Sequence, residues 1–277
     1  MHLSRREFLA ASAAGAVATG PLVADPLGMP IGTQTWPIRD AIGKDFPGTL
    51  KQIAAMGYRT IEMCSPPSYR EGFGALAGMS ASEMKKTIQA AGLRCESCHF
   101  QFKEMKEALD ERIAFAKELG LKQMICSTFA LPNTAKMADW AKAAGELNKI
   151  GEKIAASGLQ AGFHNHDFEF QKIAGELVYD KLMAEFDPKL VKMQFQVAVI
   201  RLGYQAATYL QKYPGRFLSM HLSDWSAATQ KQAAVGSGSV DWKGLFAAAR
   251  IGGVKNYFVE MDLEFMKPSY DFLHSLK

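Results

Sequence analysis

The sequence predicts an α/β protein, a (β/α)8 TIM barrel in a single domain, and three observations predict it. Short apolar runs alternate with longer stretches of helical periodicity, and the alternation repeats eight times over about 250 residues, the size of such a barrel. Several helical stretches close on a glycine just before the next strand, as Gly57, Gly92, Gly120 and Gly158 do, which suits a left-handed C-terminal cap. The competing doubly wound sheet would need a glycine-rich phosphate loop after its first strand, and "GTQTWPIRD" supplies none.

The first strand is read at residues 31–36 (IGTQTW), followed by the helical pattern "TLKQIAAMG". The second, 58–64 (YRTIEMC), precedes "SASEMKKTIQAAG", and the third, 93–100 (LRCESCHF), precedes "ALDERIAFAKELG". The fourth, 121–127 (LKQMICS), leads into "MADWAKAAGELNKIGEKIAASG". Four more strands read at 159–165 (LQAGFHN), 191–197 (VKMQFQV), 217–223 (FLSMHLS) and 256–262 (NYFVEMD).

Residues 1–24 stand apart from this pattern. Arg5 and Arg6 precede Phe8, Leu9 and an alanine-rich run ending in Leu22-Val23-Ala24, the layout of a twin-arginine export signal. The expected domain is therefore 25–277, delivered to the periplasm. Its formal charge is +3, the +4 of the whole sequence less the +1 of Arg5, Arg6 and Glu7. That balance is mild and the basic residues are scattered, so neither nucleic acid nor a membrane surface is indicated as partner. No later stretch approaches the roughly 20 apolar residues of a membrane span. Small polar substrates remain.

Side chains alternate faces along a strand, and barrel active sites lie at the C-terminal strand ends. Lys192, Gln194 and Gln196 share one face; so do Ser219, His221 and Ser223, and Phe258, Glu260 and Asp262. The same parity on each strand yields a polar ring of Glu62, His99, His164 with His166, Gln196, His221 and Glu260. Burying such groups is costly unless they share a task, and a divalent metal with a polyol substrate would satisfy them together. Imidazole and carboxylate donors suit zinc or manganese. Plainer readings compete: a strand-end histidine is also a satisfied core residue, and Glu62 also a partner for a nearby cation. Asp167 and Glu169 read as turn groups, and Asp224 as a group that orients His221 or caps the next segment. Cys95 and Cys98 lie along a strand with thiols facing opposite ways. Cys64, Cys98 and Cys126, which end three consecutive strands, read as small buried fillers.

The segments "FHNHDFEF", "YLQKYPGRF", "MHLSDW", "VGSGSVDWKGLF" and "YFVEMD" resemble the sugar phosphate isomerase/epimerase superfamily, whose fold is the xylose isomerase-like TIM barrel. The resemblance implies a divalent ion, often manganese, held by Glu, Asp, His and Glu from four late strands. The glutamates then move a proton beside a carbonyl through a metal-held enediolate. Carried over by position, that ligand set is His164, Gln196, His221 and Glu260. Gln196 stands where the family has Asp, a weaker ligand that removes a negative charge, and Ser223 stands where relatives commonly have Lys. The implied function is a sugar or keto-sugar isomerase/epimerase, with Glu260 and His164 as base and acid and Glu62, His99 and His166 binding substrate. Two alternatives stay open: a metal-free carbohydrate-binding relative, favoured by Gln196 and Ser223, and a keto-glycoside lyase or hydrolase. A homodimer is also left open.

Overall fold

Eight parallel strands close into a barrel in the computed structural model, which describes residues 25–276. The expected export signal lies outside the described residues. The strands are β1 (Gly32–Gln34), β2 (Thr60–Cys64), β3 (Arg94–Phe100), β4 (Gln123–Cys126), β5 (Gln160–His164), β6 (Val191–Gln196), β7 (Phe217–Leu222) and β8 (Asn256–Val259). Each pairs with its neighbours in sequence, and β1 pairs with β8 to complete the circle. A helix follows each strand: α1 (Phe46–Ala55), α2 (Ala81–Ala90), α3 (Leu109–Leu119), α4 (Met137–Ala156), α5 (Val178–Glu185), α6 (Ala206–Lys212), α7 (Trp242–Gly252) and α8 (Leu263–Ser275). Among the described residues no helix is long and apolar enough to cross a membrane.

Local chemistry sets these boundaries. Ser80 and Glu83 form a reciprocal capping box that starts α2, and Asp45 accepts from the Gly48 amide at the start of α1. The four glycines expected to cap helices all have positive φ, from +78° at Gly92 to +113° at Gly57. The first strand is shorter than its apolar run, and the last ends at Val259. Glu260 nevertheless continues the ladder, because its amide donates to the Leu222 carbonyl at 2.9 Å.

Two one-residue bulges set which side chains enter the barrel. Ile61 pairs with Cys95 and Glu62 with Ser97, so Glu96 is the extra residue on β3. Met193 pairs with Phe217 and Gln194 with Ser219, so Leu218 is the extra residue on β7. The first bulge corrects the cysteine reading. Cys95 and Cys98 align with Ile61 and Met63, residues of a single face, so their thiols lie on the same side and not on opposite sides. All four cysteines are buried and free.

Beneath the polar ring the barrel floor is tightly filled. A Cβ on Gly162 would lie 2.6 Å from Ile125 Cδ1 and 3.0 Å from Leu218 Cδ2. One on Gly32 would lie 2.5 Å from Thr60 Oγ1 and 2.6 Å from the Phe258 ring. Those two glycines let the floor close, which seals the site from below and leaves the C-terminal mouth as its entrance.

Candidate active site

The strand ends bring Glu62, His99, His164, Gln196, His221 and Glu260 into one cluster, graded in depth. Glu62 and His221 are fully buried, His164 and His99 are 1% and 5% exposed, and Gln196 is 8% exposed. The Glu260 side chain, at 17%, reaches furthest toward solvent among these groups. His166 is half-buried beyond the end of β5, its ring 4.7 Å from that of His164.

Glu62 sits at the bottom of the cluster. Its Oε1 accepts from Ser97 Oγ at 2.5 Å and Gln194 Nε2 at 2.8 Å. Its Oε2 accepts from Gln34 Nε2 at 2.8 Å and His221 Nε2 at 2.5 Å, with His99 Nε2 at 3.2 Å. The residue expected to bind substrate hydroxyls is thus saturated by the protein. Gln34, Ser97, Gln194 and Ser219 join it in a buried polar layer that the choice of ring residues passed over. Only their inward parity marked them.

Above Glu62 the rings of His99, His164 and His221 meet. Centroids are 5.1 Å apart for His99 and His221, 4.3 Å for His164 and His221, and 5.0 Å for His99 and His164. One ring nitrogen from each lies within 4.8 Å of the others, so these three residues could hold a metal ion. Two observations fit that use. Nδ1 of His164 and Nδ1 of His221 are buried without any hydrogen-bond partner, and an all-imidazole set is a normal zinc environment.

Gln196 and Glu260 are tied to each other instead. The Gln196 amide nitrogen donates to Glu260 Oε2. Its oxygen accepts from the Ala198 amide at 3.1 Å and from Ser223 Oγ at 3.4 Å. The Gln196 backbone is in turn held by Asn165 Oδ1, which accepts its N–H at 3.1 Å and locks the end of β5 to the end of β6.

His221 lies between two carboxylates, with Nδ1 3.3 Å from Glu260 Oε2 in an ionic contact that lacks hydrogen-bond geometry. Burial opposes charge here, but Glu260 and Glu62 outweigh it and raise His221 to about 9. Burial likewise opposes ionisation of the acids. Even so, His99 and His221 hold Glu62 well below the carboxylate range, and His221 brings Glu260 down to about 2. Burial and then the neighbouring rings push His164 well below the usual imidazole value, and burial takes His166 down to about 4. At neutral pH both glutamates are ionised and His164 is neutral.

The loop groups have local roles. Asp167 pairs with Arg201, and Glu169 Oε2 accepts the His166 amide at 2.7 Å. Asp224 does not orient His221. It caps the following segment, accepting six N–H donors from Trp225 to Trp242.

A closed (β/α)8 barrel with histidines and carboxylates at its C-terminal mouth defines a class of small-molecule enzyme folds. Within it, the chain belongs to the xylose isomerase-like TIM barrel family, whose model matches residues 50–266. No curated protein matches the sequence. Among solved structures, a sugar phosphate isomerase/epimerase from Parabacteroides distasonis is 24% identical, with a TM-score of 0.74 over 96% of this chain and 98% of that one. The IolI protein with a bound zinc atom is 13% identical, with a TM-score of 0.63 over 89% of this chain and 94% of its own. A D-psicose 3-epimerase in the presence of D-fructose is 13% identical, with a TM-score of 0.62 over 88% of this chain and 98% of its own.

Proposed function

We propose that this protein is an exported isomerase or epimerase of a sugar or keto-sugar, working by proton transfer beside a carbonyl. The observation that carries the reading is an ionised, partly exposed Glu260 placed directly over a buried cluster of three histidines. His99, His164 and His221 would hold a divalent ion, and three nitrogen donors favour zinc over the manganese that a carboxylate-rich set would take. Such an ion supplies a Lewis acid that polarises the substrate carbonyl.

The chain's own groups do the rest. Glu260 takes the proton from the carbon next to the carbonyl; that C–H electron pair becomes the C=C bond of an enediolate as the carbonyl π pair moves to oxygen. Gln196 orients Glu260 through its amide. Glu260, which then carries that proton, returns it to the neighbouring carbon in an isomerisation, while His164, neutral and one of the three nitrogen donors, would hold the ion and supplies no proton. His166, at the half-buried edge, meets the substrate's hydroxyls. The tight floor excludes water from beneath.

One specific observation favours a second reading, a metal-free carbohydrate-binding protein. Gln196 and Glu260, two of the four positions that hold metal in relatives by resemblance, are spent on each other. Metal content of protein purified without chelator or affinity metal separates the two readings. Activity is tested by solvent deuterium uptake into a panel of ketoses and keto-glycosides in heavy water, and a product lacking its aglycone would identify a lyase or hydrolase instead. Glu260→Gln should leave the fold intact and lower turnover by about 10²–10⁴-fold. Retained exchange in that variant would falsify the role of Glu260.

A further inference from the structure

We infer that Glu62 is a positioning residue, which takes the Nε2–H of His221 directly and fixes that of His99 through Gln194, and so leaves Nδ1 of each ring as the nitrogen available to a cation. This rests on the metal reading of the histidine cluster. The argument starts from saturation. Glu62 has no exposed surface, and its two oxygens meet Ser97, Gln194, Gln34, His221 and His99, so no oxygen is left for a ligand or a substrate. A carboxylate only accepts hydrogen bonds, so a ring nitrogen hydrogen-bonded to it carries the hydrogen, as Nε2 of His221 does, whereas Nδ1 of that ring lies 3.3 Å from Glu260 Oε2 without hydrogen-bond geometry.

The same anion acts on His99 by a second route. Gln194 Nε2 donates to Glu62 Oε1 at 2.8 Å and to Ser219 Oγ at 3.1 Å, which fixes the amide orientation. Its oxygen is then turned to His99 Nε2 at 2.6 Å. His99 Nε2 therefore faces two acceptors and His221 Nε2 faces one. A ring that takes a cation gives up one ring hydrogen, and because Nε2 keeps its own against the acceptors it faces, the lone pair falls on Nδ1. Nδ1 of His221 is buried without a hydrogen bond, 3.3 Å from Glu260 Oε2. A carboxylate that fixes imidazole tautomer in this way also raises ligand basicity.

Glu62→Gln keeps the side-chain volume but has a single oxygen. Its NH2 group must face either Ser97 and Gln194 or Gln34 and the two histidines. Zinc affinity, measured by competition with a chromophoric chelator, should fall about 10–100-fold. In zinc-loaded wild type, 15N spectra of labelled histidine should show Nε2–H on His99 and His221, and the variant should lose that pattern. A folded Glu62→Gln protein with unchanged zinc affinity and an unchanged 15N pattern overturns the inference. Should that variant not fold, Gln194→Met removes only the amide; loss of zinc affinity and of the His99 Nε2–H signal supports the assignment, and no change in either overturns it. If wild type takes up no zinc, the metal reading fails on its own. The 15N spectra at a pH where the rings are neutral then decide, Nε2–H on both rings supporting the role of Glu62 and Nδ1–H refuting it.

Discussion

Single residues in the "HNHDFE" turn differ in what they contribute, and Glu169 shows how. It is fully buried, and its Oε1 has no partner while Oε2 holds the His166 amide. Burial raises its carboxyl from the ordinary range to about 7. A raised folded-state value means that the folded chain binds more protons. The contribution is therefore present below the unfolded value and is lost as pH rises from about 4.5 through 7, a loss on the order of 3 kcal/mol. His166 acts in the opposite sense, since its lowered value costs stability as pH falls from about 6.5 through 4. The two partly cancel in the wild type, so the test is a difference: Glu169→Gln should gain stability relative to wild type between pH 5 and pH 8, read by urea unfolding at both. Equal pH profiles would mean that Glu169 titrates normally. Sequence made His164, His221 and Glu260 legible because each ends an apolar strand on the inward parity. Gln34, Ser97, Gln194 and Ser219 share the inward parity but lie deeper in their strands than the ring residues. A short neutral polar residue within a strand is ordinary until several strands close around one carboxylate.

Strand and helix existence followed from periodicity and the glycine caps, whereas the two bulges did not. One inserted residue at Glu96 or Leu218 leaves the alternation locally intact but changes which face the preceding residues take. That is why unbroken alternation puts the Cys95 and Cys98 thiols on opposite sides when they share one, and why Leu218 can help fill the floor although the same alternation puts it on the helix side. The segment between Asp224 and Trp242 is another element organised by a single group. Oδ1 of Asp224 serves the amides of Trp225, Ser239 and Val240, and Oδ2 serves Gly236, Gly238 and Trp242 Nε1. A carboxamide in its place would set an NH2 group against three donors in either orientation. Gly238 belongs to the same arrangement, because a Cβ there would lie 2.1 Å from Asp224 Oδ1. Asp224→Asn should destabilise the protein by about 3 kcal/mol or more, given that hydrogen bonds to a charged acceptor are worth about 1.5–3 kcal/mol each. Limited proteolysis should find new cleavage between residues 225 and 241 while the barrel helices stay protected. An unaltered digestion pattern would show that the loop is held by its other contacts.

The whole barrel is the unit on which a bound ion would act. His99, His164 and His221 come from β3, β5 and β7, none of which pairs with another, so an ion shared by the three ties together strands joined otherwise only through β4, β6 or the rest of the ring. The barrel has no free edge along which one part could open independently, and its helices and strands share one continuous apolar core. Stabilisation at the cluster should therefore appear in global unfolding and not as local protection alone. An ion that binds only the folded chain adds about 2.7 kcal/mol at a hundredfold excess over its dissociation constant. For a chain of this size that corresponds to an upward shift in Tm on the order of 5–10 °C. Zinc should produce it, a chelator should reverse it, and the urea midpoint should move without a change in slope, because the surface exposed on unfolding stays the same. His99→Ala should abolish the shift, whereas Gln196→Ala should keep most of it, since the Gln196 oxygen is occupied by Ala198 and Ser223. The reverse ranking of those two variants would return the ligand set to the positions that the family resemblance implies, and would make the Gln196 and Glu260 contact a resting arrangement that opens when metal arrives.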